Sequence, residues 1–177
     1  RITSLDDVKH AKELFIEMTK SYEYIDYKES LNAFVSKMND NAILFKTKEE
    51  YIEWITLNLS KTSFNSVEQF KNMIEDMLLK HETLAEKNTV LFSFLKVANS
   101  SQFLEIVKPS LTVVPYITNA TPCQNGCMND CEDQLNGDNF AYSMGYGDLG
   151  NPTFAEAYHV IRVKQIIKDL NTCMSGC

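Results

Sequence analysis

Breakers are scarce in this chain: six glycines and four prolines among 177 residues. So few interruptions leave little room for loops, and the expectation is a mostly helical protein. Long apolar runs are missing too, since patches such as Ala42 to Phe45 and Leu91 to Leu95 fall far short of the about eighteen residues that cross a bilayer. No membrane span is expected. Basic excess is absent, the net charge being -7, and nonspecific nucleic-acid binding needs a basic footprint. Nucleic acid is therefore excluded as a partner class. No nucleophile elbow, phosphate loop, dinucleotide fingerprint or HExxH pair occurs, so no catalytic residue and no cofactor is assigned. A methionine start is lacking as well, Arg1 standing first. The expectation is a mature or truncated chain, and a removed signal peptide would fit the cysteine content described next.

What is present is concentrated in the last third. All five cysteines lie between Cys123 and Cys177, as C-x3-C-x3-C followed, after a long interval, by C-x3-C. Cysteines four apart share one face of a helix, but their parallel Cβ vectors suit a mutual disulfide poorly. Each pair therefore wants partners on a second helix. In an antiparallel hairpin, cross-linked positions sum to a nearly constant number. Cys127 with Cys177 and Cys131 with Cys173 sum to 304 and centre the turn at 152. The alternative register, Cys123 with Cys177 and Cys127 with Cys173, sums to 300 and centres it at 150. Both centres fall in Gly145 to Pro152, the densest breaker cluster in the chain. One thiol is left over in either case, Cys123 or Cys131, and is available for an intermolecular disulfide. Each bridge closes a loop of roughly forty residues, worth about 3 to 4 kcal/mol on the chain-entropy view.

The twin C-x3-C pairs resemble those of small mitochondrial intermembrane-space chaperones, where the pairs stand closer together in sequence. The likeness is one of spacing. A second reading of the same cysteines is a thiolate zinc site. Disulfides are favoured, because no histidine stands among the cysteines and the spacing suits two bridged helices.

Taken in order, the chain reads as an all-α protein in which a helical bundle packs with a disulfide-stapled helical hairpin. Residues 1–107 form the bundle, 108–122 an extended linker and 123–177 the hairpin, all in one compact unit. The first helix is expected from about Leu5 to Tyr22, capped by Ser4, with Val8, Ala11, Phe15, Met18 and Tyr22 facing inward. A second spans about Tyr27 to Met38. Thr47 and Glu50 read as a capping box opening a third, which runs to about Leu59 and carries Trp54. The clearest 3.6-residue period runs from Val67 to about Glu86 through Phe70, Ile74, Met77, His81 and Leu84. Short helices follow at about Thr89 to Ala98 and Ser101 to Val107. Pro109 and Pro115 then flank a β-branched extended stretch. On the first hairpin arm, Gly137 predicts a weak point near Asn136 to Asn139.

Candidate chemistry is sparse. Asp130, Glu132, Asp133 and Asp138 match no EF-hand loop and read as a solvated acidic face, with Asp138 facing Arg162 or Lys164 across the hairpin. From Pro109 to Val160 no Lys or Arg occurs. His81 reads as a core histidine. Phe140, Tyr142, Tyr146, Phe154 and Tyr158 gather near the hairpin tip, either packing the arms together or docking the tip on the bundle or a partner. Acceptor sequons stand at Asn58, Asn99 and Asn119, for use in a eukaryotic secretory pathway. Oxidisable cysteines without catalytic motifs lead to an exported noncatalytic protein that binds an unknown protein or surface partner. It would be secreted, periplasmic or at the cell surface. A bacteriocin-like toxin or antagonist is the alternative from another class, and a zinc thiolate protein the third.

Overall fold

The computed structural model describes residues 5–148 and 151–177. Ser4, expected as the first cap, and residues 149 and 150 in the breaker cluster lie outside them. Among the described residues there are eight α-helices and no strand, so the all-α bundle with its stapled hairpin is what the chain forms.

α1 (Leu5–Thr19) buries Val8, Ala11, Phe15 and Met18. It stops earlier than its apolar stripe suggests, and Tyr22 is exposed. The cause is Ser21, which is extended and accepts a hydrogen bond from the Tyr24 amide, so that a new helix starts there. That helix, α2 (Tyr22–Lys37), buries Tyr27, Leu31, Phe34 and Val35. Thr47 caps α3 (Lys48–Asn58) by accepting from the Glu50 amide, while the Glu50 carboxylate reaches back to the Lys46 amide. Ser66 caps α4 (Val67–Lys87), which buries Phe70, Ile74, Met77 and Leu84 as its period requires. α5 (Thr89–Val97) and α6 (Ser100–Val107) complete the bundle. A full capping box of Asn99 and Gln102 opens α6, a role for Asn99 that its sequon reading did not include.

A 3₁₀ turn, Lys108–Ser110, leads into an extended stretch that turns at Asn119 with φ of 57°. Then α7 (Pro122–Asp148) and α8 (Pro152–Ser175) form the antiparallel hairpin. No break occurs at Gly137. The helix runs through it, because packing along α8 outweighs a glycine cost of about 1 kcal/mol.

Two apolar clusters follow. The larger joins α1 to α6 with Phe154, Ala157 and Ile161 of α8, so the tip half of the hairpin belongs to the bundle core. The smaller lies at the cysteine end, where Cys127, Met128, Cys131, Leu135, Ile166 and Leu170 pack together. Val114 and Ala120 of the linker cover it.

The bridges are Cys123–Cys177 and Cys127–Cys173, each with a Cα–Cα distance of 5.8 Å. This is the register summing to 300. The pairing of Cys127 with Cys177 and Cys131 with Cys173 does not form, and Cys131 is the free, buried cysteine. The choice follows from the helix ends: α7 ends at Asp148 and α8 begins at Pro152, so their midpoint is 150 rather than 152. Cys131 then lies in the apolar seam with Leu135, Ile166 and Leu170.

Candidate functional site

Polar groups converge where the hairpin meets the bundle. Glu156, on the first turns of α8, is the centre: its Oε1 accepts from Lys28 Nζ at 2.8 Å and its Oε2 from the Tyr27 hydroxyl at 3.1 Å. Both partners come from α2. Burial works against the Lys28 ammonium, yet the charge and hydrogen bond of Glu156, with Tyr24, hold its pKa above the ordinary value. Desolvation together with the Glu156 charge pushes the Tyr27 phenol well above its usual range, so it stays a hydrogen-bond donor.

One turn further along α8, His159 Nδ1 lies 2.6 Å from Asp138 Oδ2 of α7. Both side chains are nearly buried, 10% and 7% exposed. The imidazole stacks flat on Tyr142, with ring centroids 4.2 Å apart at 10°. Tyr142 and Tyr146 in turn pack edgewise or tilted on Phe103 of α6, at 5.3 and 4.7 Å. Burial raises both phenols well above their ordinary pKa, Glu156 adding to it.

These residues line two adjoining spaces. A cleft of about 280 Å³ opens between Lys28, Asn32, Thr112, His159, Val163 and Lys164. Behind it lies a chamber of about 40 Å³ lined by Tyr24, Tyr27, His81 and Phe92 among others. Ser110, Tyr142 and Glu156 border both. The cleft's walls are mostly polar, with Val160, Val163 and the Tyr142 ring as their apolar part, so hydrogen bonds and charge would do most of the holding of a small ligand there.

The residues singled out from sequence scatter. Asp138 does not belong to the acidic face and does not meet Arg162 or Lys164; it points inward to His159, while Arg162 bonds Gln165. Asp130, Glu132 and Asp133 are exposed, and Glu132 accepts from the Tyr116 hydroxyl. Of the tip aromatics, Tyr142, Tyr146 and Phe154 pack inward, Phe154 lying 4.7 Å from Tyr51. Tyr158 is half-buried and Phe140 faces solvent. His81 is half-buried between Tyr27 and Phe92, at 5.3 and 5.4 Å. The sulfurs of Cys123, Cys127 and Cys177 lie within 4.8 Å of one another, but they are bonded in disulfides and offer no thiolate to zinc. The His159–Asp138 pair was within reach of the sequence. Its positions sum to 297, within one helical turn of the cysteine register.

Compared with known proteins, the chain matches no family model, no curated protein and no solved structure.

Proposed function

We propose that this is an exported, noncatalytic binding protein that takes a small acceptor-rich ligand, of the carboxylate class, into the cleft between bundle and hairpin. One observation carries the reading: donors from three separate elements meet at a single opening. Lys28 and Asn32 come from α2, Thr112 from the linker, and Lys164 from α8. The acid nearest them, Glu156, is already engaged by Lys28 and Tyr27, which leaves the Lys164 ammonium and the neutral donors for a guest. Export is supported by the two bridges, which persist in oxidising compartments.

Two measurements test the two halves separately. Saturation-transfer NMR with a panel of small mono- and dicarboxylates is expected to show binding that Thr112→Trp abolishes by filling the cleft and Lys164→Gln weakens. No binding by any member of the panel overturns the ligand reading. For export, the protein is taken from its native host with thiols blocked at lysis, then denatured without reductant; one labelled cysteine, Cys131, is expected. Five labelled cysteines would sink it.

A further inference from the structure

The inner side of α7 is covered by α8 and the bundle, whereas on its outer side several residues are exposed. Glu132, Asn136, Phe140 and Met144 follow at four-residue steps and so lie along one stripe of the helix. All four are exposed, Phe140 by 57% and Met144 by 46%. Alongside the first half of this stripe runs the linker. Val114 turns in against the cysteine-end cluster, while Val113 and Tyr116 turn out, 78% and 52% exposed. Between linker and helix lies a groove of about 280 Å³ bordered by Leu111, Val113, Glu132, Leu135, Asn136 and Asn139. From Glu132 to Met144 the helix rises about 18 Å at ~1.5 Å per residue. That is the length of three helical turns.

Charge decides what such a face accepts. Between Pro109 and Ile161 there are six Asp and Glu and no Lys or Arg, so this stretch carries all but one unit of the net charge of -7. Asp138 and Glu156 are engaged inside the seam; Glu132 borders the groove, and Asp133 is exposed next to it in the helix. Among the described residues that border it, the cation is Lys108, 3.9 Å from Glu105. A second copy of the chain would set acid against acid, and an anionic membrane surface would be repelled for the same reason. The complement is apolar along one side and basic along the flanks.

We propose that the linker–α7 groove and the Phe140–Met144 stripe dock a cationic amphipathic helix of a protein partner. Apolar side chains of that helix, spaced three and four residues apart, meet Val113, Tyr116, Phe140 and Met144. Its lysines or arginines meet Glu132 and Asp133. Thr112 borders both this groove and the cleft, so the substitutions below are placed away from it, on Phe140, Met144, Glu132 and Asp133.

The test uses the full chain with its disulfides intact and a fluorescent amphipathic peptide of leucine and lysine, about four turns long, followed by anisotropy. A peptide of the same pattern with glutamate in place of lysine serves as control. The lysine peptide is expected to bind and to weaken as salt rises. Phe140→Ser with Met144→Ser is expected to reduce affinity about tenfold or more, as loss of central apolar anchors does, with helix content unchanged because both side chains are exposed. Glu132→Gln with Asp133→Asn is expected to flatten the salt dependence, and Leu57→Ser, at an exposed apolar position of the bundle, to change nothing. Failure of the lysine peptide to bind overturns the proposal. So do equal binding of the glutamate peptide, indifference to the Phe140/Met144 change, or a sedimentation dimer or anionic-vesicle binding that this change removes.

Discussion

The bundle and the hairpin reach helical structure by different means. In the bundle, each helix carries its own apolar stripe and the stripes meet in one core, where Phe34, Phe64 and Phe70 lie with ring centroids 4.9 to 5.6 Å apart. Many small contacts add up there. The hairpin's first arm has little of this. α7 holds four glycines and four asparagines, and towards the cysteine end it buries only Cys127, Met128, Cys131 and Leu135. Its free end is held by two bridges instead. Where side chains cannot supply enough burial, a covalent closure limits the unfolded chain and shifts the balance the same way.

The sharpest way to break this contrast is to remove the bridges. The outer one spans 54 residues and the inner one 46, and closing a loop of that size is worth about 4 kcal/mol on the chain-entropy view. The second, nested inside the first, adds less. Replacing all four bridged cysteines by serine is therefore expected to lower stability by about 4 kcal/mol or more, read as a fall in the urea midpoint. Hydrogen exchange locates the loss: residues 122–131 and 166–177 lose protection, while α4 and the tip half of α8 keep theirs. Uniform loss across α4 and α7 would show that bundle and hairpin unfold as one and that the contrast has no energetic meaning.

The same contrast explains what could be read from the residues. Bundle helices announce themselves locally: Phe70, Ile74, Met77 and Leu84 keep the helical period, and all four are buried. Caps at Thr47 and Ser66 do likewise. In the hairpin the legible signal was long-range, because bridged positions on antiparallel helices must sum to a constant. That arithmetic gave two registers, and only the helix ends at Asp148 and Pro152 select between them. The cleft was not legible at all. Lys28 and Glu156 stand 128 residues apart, and their meeting depends on how the hairpin docks on α2, which no local pattern encodes. Asp138 was misassigned because a helix exposes an acid and turns one inward with the same spacing.

A gentler change sharpens the comparison from the other side. Gly126 and Gly137 lie mid-helix in α7, and a Cβ at either meets nothing within 4 Å. Gly137→Ala and Gly126→Ala are each expected to stabilise by about 0.8 to 1.0 kcal/mol, the alanine–glycine difference in helix interiors. Thermal midpoints of the single and double variants measure this. The gain is expected to be largest in the variant without bridges if the cystine end unfolds separately there. No gain in either background would mean that α7 needs its glycines for a reason unrelated to helix propensity.

The smallest effect concerns two histidines that repeat the contrast in miniature. His159 has a carboxylate partner in Asp138, whereas His81 is set between the rings of Tyr27 and Phe92. Desolvation lowers the His81 pKa below the ordinary 6.5, with the Glu156 charge pulling weakly the other way. The unfolded chain therefore takes up a proton near pH 6.5 that the folded chain still refuses. Stability must fall as pH drops through that point, and the fall ends once the folded pKa is passed. His81→Phe keeps the aromatic packing and removes the titration. Urea midpoints at pH 7.5 and 5.5 are expected to differ more for the wild type than for this variant. An equal drop in both would place the acid sensitivity elsewhere, with the carboxylates of the seam as the first groups to examine.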